Sequence, residues 1–388
     1  MKRRCVVRIG TDCSGTDAPI YGIQQSKLHR RRRIKVAHRW SCDVSRASQK
    51  FIMLNHRPER LYTDMVRRKH QQLPRVDSYV CGFPCQNWST LGKRRGWSDH
   101  RSRVYRALLR TLRKGRIRSF ILENVATLAQ HRGGRTLKLI MRQLQQTGYR
   151  VDAKIYNAVE FGLPQKRRRL YIVGLHKDEH IQPELPDPPS VELPLLSSFL
   201  DDDHGKFGAK PGKTETTARW NLKRFQQLME ENSIDGDQET YVVDVDASSR
   251  FASAEHEICP SLTYSRPSLW RCHSRHMQEC LSSSTRLTSR RRRMNTTEMW
   301  RLQGFPIEEI MHTVSDCTHD GPLQPAGNSM RVPISSPTSL ITCCHACLNS
   351  ISRGTDRDGW AASQHGHCGN STCTGQARRK RMNQAQFL

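Results

Sequence analysis

The chain has 388 residues, and its 64 Lys and Arg against 36 Asp and Glu give a formal charge of +28. That length exceeds a single small domain, and no apolar run reaches the ~18 residues of a membrane-spanning helix. The charge points to a polyanionic partner without naming a reaction, and with no secretory signal the 14 irregularly spaced cysteines read as reduced thiols of an intracellular protein.

In chain order, β-like runs over Cys5–Gly10, Ile34–His38, Ser78–Gly82 and Ser119–Asn124 alternate with other segments. Two of these, Ser45–His56 and Arg103–Lys114, carry apolar residues at helical spacing. Alternation of this kind predicts βαβ units: an α/β, Rossmann-like fold whose parallel sheet has helices on both faces. Val151–Ala158 and Arg169–Leu175, separated by a Gly-Pro-basic turn, read as an added hairpin. From His176 to Glu257 the texture turns rich in Pro, Asp, Ser and Gly, with one strand in TYVVDVD and one helix over Thr217–Glu231. Order returns from Ile258, with helices expected at Thr296–Leu302 and near Ser335–Leu348. The polar tail from Asn349 to Leu388 has the composition of a disordered segment.

The first strand runs into GTDCSGTDAPIYG, whose small residues let a cofactor approach the backbone. Asp12 and Asp17 would repel a pyrophosphate, whereas they suit a cofactor with ammonium and sulfonium charges, such as S-adenosylmethionine; a plain tight turn is the alternative. Past the second strand, Asp43 is placed to accept from ribose hydroxyls and Trp40 to stack on an adenine. Asp64 follows the third strand, although each of these acids alone also reads as a solvated surface residue.

In CGFPCQNWSTLGKRRG (Cys81 to Gly96), Cys81 belongs to the strand and behaves as a small hydrophobe. A zinc site needs about four ligands, and nothing nearby supplies a second pair. Cys85, after Pro84 at the strand's carboxyl end, is then either an inert loop thiol or a reactive one. Glu123, in the ENV at the end of the next strand, faces the same pocket. Gln165, Arg167 and Arg169 of QKRRRLYIVG alternate into a strand. Cys, Glu and Arg beside a cofactor cleft point to methyl transfer onto an electron-poor ring.

With these residues in place, the chain resembles the cytosine-5 DNA methyltransferase family. The matching stretches, in the family's order, are Ser14-Gly15, GFPCQ (82–86), DHRSRVY (99–105), ENV (123–125), FGLPQKRRRLYIVG (161–174), EMWRLQGFP (298–306) and AGNSMRVP (326–333). The resemblance implies a catalytic domain from 1–175 and 258–348, a target-recognition insert at 176–257, and a tail at 349–388. It implies Cys85 as nucleophile, Glu123 on ring nitrogen 3 and the exocyclic amine, and Arg167 on the exocyclic oxygen. Asp12, Ser14, Gly15, Trp40, Asp43, Asp64, Pro84, Val104 and Asn328 fall at cofactor-binding positions, with S-adenosylmethionine as methyl donor. Gln86, Ser89, Lys93, Arg95, Gln165 and Arg169 fall at substrate positions, and double-stranded DNA is the expected partner.

This chain departs from the family in having Thr16, Asp17 and Ala18 after Ser14-Gly15 where glycines are usual, and Thr297 where an Arg is usual. A branch that modifies tRNA carries PPCQ and a CFT tripeptide, neither of which occurs here, so tRNA ranks below DNA. A catalytically inactive nucleic-acid scaffold is a third reading, against which the intact Cys85, Glu123 and Arg167 argue. Cys344, Cys347, Cys368 and Cys373 offer a conceivable set of four zinc ligands, against which their irregular spacing weighs, and RRKR (378–381) fits nuclear import if the source is eukaryotic.

Overall fold

A computed structural model describes residues 5–25, 34–84, 102–115 and 117–179, most of 182–201, and parts of 220–310, chiefly 240–244, 254–262, 269–273 and 292–305. Cys85, Gln86, Ser89, Lys93, Arg95, Asn328, the segment 335–348 and the tail lie outside the described residues.

The main sheet is built from β1 (Cys5–Asp12), β2 (Ile34–Cys42), β3 (Arg60–Tyr62), β4 (Ser78–Cys81), β5 (Ser119–Val125), β6 (Tyr149–Asn157) and β8 (Arg168–His176). Their order is β3-β2-β1-β4-β5-β8-β6. The first five pair in parallel, whereas β8 inserts antiparallel between β5 and β6, which makes the expected hairpin. Strand order reverses between β1 and β4, and ligands of open α/β sheets bind outside the carboxyl ends of the strands at such a point.

Alternation along the strands sorts the core into two layers. Val7, Ile9, Val80, Ile121 and Val173 face one side, where Ile20 of α1 (Ala18–Gln24) and Phe51 of α2 (Arg46–Asn55) cover them. Tyr79, Cys81, Phe120, Leu122 and Ile172 face the other, under Leu108 and Leu112 of α3 (Ser102–Gly115); a short α4 (Thr127–Gln130) adds Leu128, and α5 (Arg135–Gln145) adds Ile140 and Leu144. Both faces of β4 are buried, as a central parallel strand requires.

Late residues return to this core. In α6 (Thr296–Leu302), capped by Asn295 and Glu298 in a reciprocal box, Trp300 stacks on Phe51 at 5.2 Å, and Phe305 packs edge-on against Tyr21. A second, antiparallel sheet of β9 (Thr240–Asp244), β10 (Ala254–His256), β12 (Leu269–His273) and β13 (Arg292–Arg293) has the order β10-β9-β12-β13. It crosses the boundary expected at 257, so the smaller unit extends to Arg293 before the chain rejoins the first core. The short β7 (Gln165–Lys166) pairs with β11 (Cys259–Pro260) and links the two units.

Candidate active site

At the carboxyl end of β5, Glu123 pairs with Arg169 at the start of β8, Nε to Oε1 3.0 Å, with both side chains mostly buried. The antiparallel register sets Val125 opposite Arg169, so Glu123 and Arg169 are diagonal neighbours. Arg167, expected to face this pocket, is only 4 % exposed, and its Nη1 donates to the Leu262 carbonyl at 2.8 Å. Gln165 is fully buried beside Cys259 of β11. The alternation read from QKRRR fails because the chain turns tightly here. The Arg167 N–H donates to the Gln165 carbonyl at 2.9 Å and to the Asn157 side chain at 3.0 Å. An i to i+2 turn re-aims the backbone, so Gln165 and Arg167 turn inward to the smaller unit and Arg169 alone meets Glu123.

Asn124, the middle residue of ENV, donates to the Phe83 carbonyl at 3.0 Å. This bond fixes the loop leaving β4 two residues before Cys85 in the chain. Pro84 is half-buried, and Cys81 is wholly buried in β4, where the strand reading placed it. Val104, in the first turn of α3, is half-buried against the α3 side of the core.

The first loop is held from below. Asp12 is buried and ion-paired with Arg68, accepts from the Tyr79 hydroxyl at 2.6 Å and from Trp40 Nε1 at 3.3 Å. Its carboxylate is therefore spent inside the protein and does not reach outward to a cofactor. Trp40 is only 1 % exposed and lies across Gly10, where an added Cβ would fall 2.4 Å from the ring. It is a core residue, which overturns the expectation of an adenine-stacking face. Ser14 accepts from the Cys42 N–H at 3.0 Å and bonds Thr11 Oγ1 at 2.8 Å, stitching the loop to the end of β2. Gly15, at φ 56°, donates its N–H to Asp43 Oδ2 at 2.8 Å. The Ser45 N–H binds the other Asp43 oxygen at 2.8 Å, and burial raises the Asp43 pKa. Asp64 accepts from the Val66 N–H at 2.7 Å and closes the turn after β3.

Two residues after Gly15, Asp17 is fully buried and accepts from Thr11 and Ser41 at 2.5 Å each. His56 Nε2 contacts the Thr16 carbonyl at 2.9 Å, and His38 Nε2 lies 3.5 Å from Asp17. Burial pushes the Asp17 carboxyl up to about 6 and His38 down to about 4. The loop is shaped by this polar cluster where glycines would otherwise allow its turn.

Val44 was missed by sequence reasoning. It is 76 % exposed and directly follows Asp43, which makes it an apolar surface at the end of β2. The signal was an apolar residue immediately after the acid past strand two. A cofactor with a ribose and a flat base fits what is present: Asp43 retains lone pairs for hydroxyls, Val44 offers the apolar contact, and Gly15 allows close backbone approach.

The profile of the C-5 cytosine-specific DNA methylase family matches residues 21–336. The chain belongs to this family. Among curated members, the type II methyltransferase M.NgoBI of Neisseria gonorrhoeae is 38% identical over 131 residues, covering 34% of this chain and 40% of that protein. M1.ScrFI of Lactococcus lactis subsp. cremoris is 31% identical over 189 residues, covering 47% and 48%. The chain thus spans between two fifths and a half of the length of these relatives. The solved structure of the Entamoeba histolytica methyltransferase EhMeth matches with TM-score 0.60 at 15% identity, covering 89% of this chain and 99% of that one. The S. pombe Dnmt2 methyltransferase matches with TM-score 0.56 at 15% identity, covering 87% and 98%. These likenesses establish the methyltransferase fold. The curated methylases named here are bacterial and lend no support to a nuclear location; no helix among the described residues is long and apolar enough to cross a membrane.

Proposed function

We propose that this family member is a DNA (cytosine-5-)-methyltransferase that uses S-adenosylmethionine and acts on a cytosine flipped out of double-stranded DNA. The observation that carries the reading is the ENV segment: Glu123 paired with Arg169 at 3.0 Å, and Asn124 bonded to the carbonyl two residues before Cys85. Acid and cation meet where β5 ends and β8 begins, and Asn124 ties the same segment to the chain that leads to Cys85.

Carbon 5 of cytosine is too weak a nucleophile to take a methyl group unaided. The Cys85 thiolate adds to carbon 6, and the ring becomes enamine-like at carbon 5. Glu123 shares a proton with ring nitrogen 3 and accepts from the exocyclic amine. Arg169, not Arg167, holds the exocyclic oxygen and offsets charge that develops on the ring. Arg167 anchors the smaller unit through Leu262. S-adenosylmethionine, when bound, supplies the methyl group; Asp43, Val44 and Gly15 are the residues that would hold it. Once carbon 5 carries the methyl group, its proton leaves to a base, the carbon 5–carbon 6 double bond re-forms, and Cys85 departs with its electron pair. Unstacking the target costs a few kcal/mol, and the basic segment Lys93–Arg95 is suited to phosphate contacts that offset it. The unit carrying the second sheet reads the target sequence.

The test is incubation with methyl-labelled S-adenosylmethionine and either duplex DNA or tRNA, using the unaltered protein and Cys85→Ala. Label on duplex DNA, lost in Cys85→Ala, supports the proposal. Label on tRNA alone moves the substrate to RNA, and label on neither leaves a nucleic-acid scaffold.

A further inference from the structure

The α3 helix carries Arg103, Arg106, Arg110 and Arg113 at spacings of three, four and three residues, all exposed. Its other side buries Tyr105, Leu108, Leu109 and Leu112. Residues three and four apart share one helix face, so the four guanidinium groups form a single outward stripe. At 1.5 Å rise per residue the stripe is about 15 Å long. The neighbouring α5 adds exposed Arg135, Lys138 and Arg142; the two helices touch where the Tyr105 hydroxyl donates to the Ile140 carbonyl at 3.5 Å.

Two features separate this face from an ordinary solvated one. Surfaces normally intersperse both signs of charge, yet between His100 and Arg150 the only acid is Glu123. Glu123 follows Ile121 on the opposite face of the sheet and is paired with Arg169. None of the seven cations forms an ion pair among the described residues. The second feature is direction. The chain leaves β4 at its carboxyl end, enters α3 and returns to β5, so Arg103 lies at the end nearest the candidate active site and Arg113 at the far end.

We propose that the Arg103–Arg106–Arg110–Arg113 stripe is an auxiliary track for the DNA backbone, engaging phosphates of the target duplex on the flank that runs away from the cleft. One strand of B-DNA presents a phosphate every 3.4 Å along the axis, so the stripe matches about four phosphates. The inference rests on the DNA reading above and adds a contact outside the target pocket.

The test compares duplexes of about 12 and about 40 base pairs with the same central target, at several salt concentrations. The variant is Arg106→Glu, Arg110→Glu, Arg113→Glu; a control with the same charge change is Lys50→Glu, Arg57→Glu, Arg60→Glu, at exposed positions outside α3 and α5. The expected result is a loss of about ten-fold or more in affinity for the long duplex near 0.1 M salt, with a salt slope lowered by about 0.9 for each contact removed. Short-duplex affinity stays within about two-fold, the control variant binds the long duplex like the unaltered protein, and Arg→Lys at the three positions restores it. Equal loss on both lengths, equal loss in the control, or no loss at all overturns the track. A stripe-dependent loss seen with tRNA and not with duplex also overturns it. Failure of the unaltered protein to bind either duplex sinks the DNA reading itself, a result distinct from failure of the stripe.

Discussion

Replacing Arg169 by methionine removes the guanidinium 3.0 Å from Glu123 while keeping most of the side-chain volume. If Arg169 binds the exocyclic oxygen, its loss withdraws a cation aimed at developing charge, which costs about 10²–10³-fold in kcat, or roughly 2.7–4 kcal/mol. Arg167→Met is the matched comparison. It removes a buried charged donor from the Leu262 carbonyl and leaves that acceptor unpaired, a loss of about 1.5–3 kcal/mol that falls on stability. Steady-state methyl transfer to duplex DNA and thermal unfolding of both variants separate the two effects. Arg169→Met is expected to fold normally and turn over slowly, and Arg167→Met to unfold earlier with kcat within about ten-fold of the parent. The reverse pattern, a well-folded but inactive Arg167→Met beside an active Arg169→Met, would refute the reassignment.

Asn124→Ala breaks the bond to the Phe83 carbonyl; kcat should fall about ten-fold, the equivalent of one hydrogen bond, while duplex affinity holds, and an unchanged kcat would remove Asn124 from the positioning of Cys85. Gly10→Ala drives a methyl group to within 2.4 Å of the Trp40 ring and should lower unfolding stability by about 1–3 kcal/mol in a denaturant titration. Stability should also respond to acid. His38 is held neutral to about pH 4 by burial, so between about 4 and 6.5 the unfolded chain binds the extra proton and stability rises with pH. Asp17, raised to about 6 by burial, acts oppositely between its ordinary range and 6, where the folded state holds the proton. Each contributes on the order of 3 kcal/mol and they largely offset one another, so the lowered pKa values of buried His56 and of His70 leave a net loss on acidification. In Asp17→Asn the histidines act unopposed, and melting temperature should fall more steeply from pH 6.5 to 4 than in the parent; a parallel or shallower fall contradicts the Asp17 assignment.

The sheet was legible because its central strands, such as the fully buried β4, read as apolar runs separated by helical spacing, a pattern that local sequence carries directly. Glu123 and the hairpin of β6 and β8 were legible for the same reason. Arg167 and Arg169 were confused because period-two alternation assumes a continuous strand, and the turn between Gln165 and Arg167 depends on Asn157, ten residues upstream of Arg167 in the chain. Trp40 and Asp12 were misread because their partners, Gly10, Tyr79 and Arg68, come from three other segments; an aromatic or acidic residue at a strand end looks the same whether it faces inward or outward. The smaller unit was underestimated because short antiparallel strands such as Arg292–Arg293 have no periodicity of their own.

The central claim is that Cys85 attacks carbon 6 of a flipped cytosine while Glu123 and Arg169 stabilise the ring. Duplex DNA carrying 5-fluorocytosine at the target tests it most directly, because the fluorine blocks loss of a proton from carbon 5 and so blocks release of the enzyme. Intact-mass analysis after incubation with S-adenosylmethionine should show the protein covalently joined to the methylated strand, with peptide mapping placing the link on Cys85 and no adduct from Cys85→Ser. Trapping that persists in Cys85→Ser, or an adduct mapped to another thiol, contradicts the account.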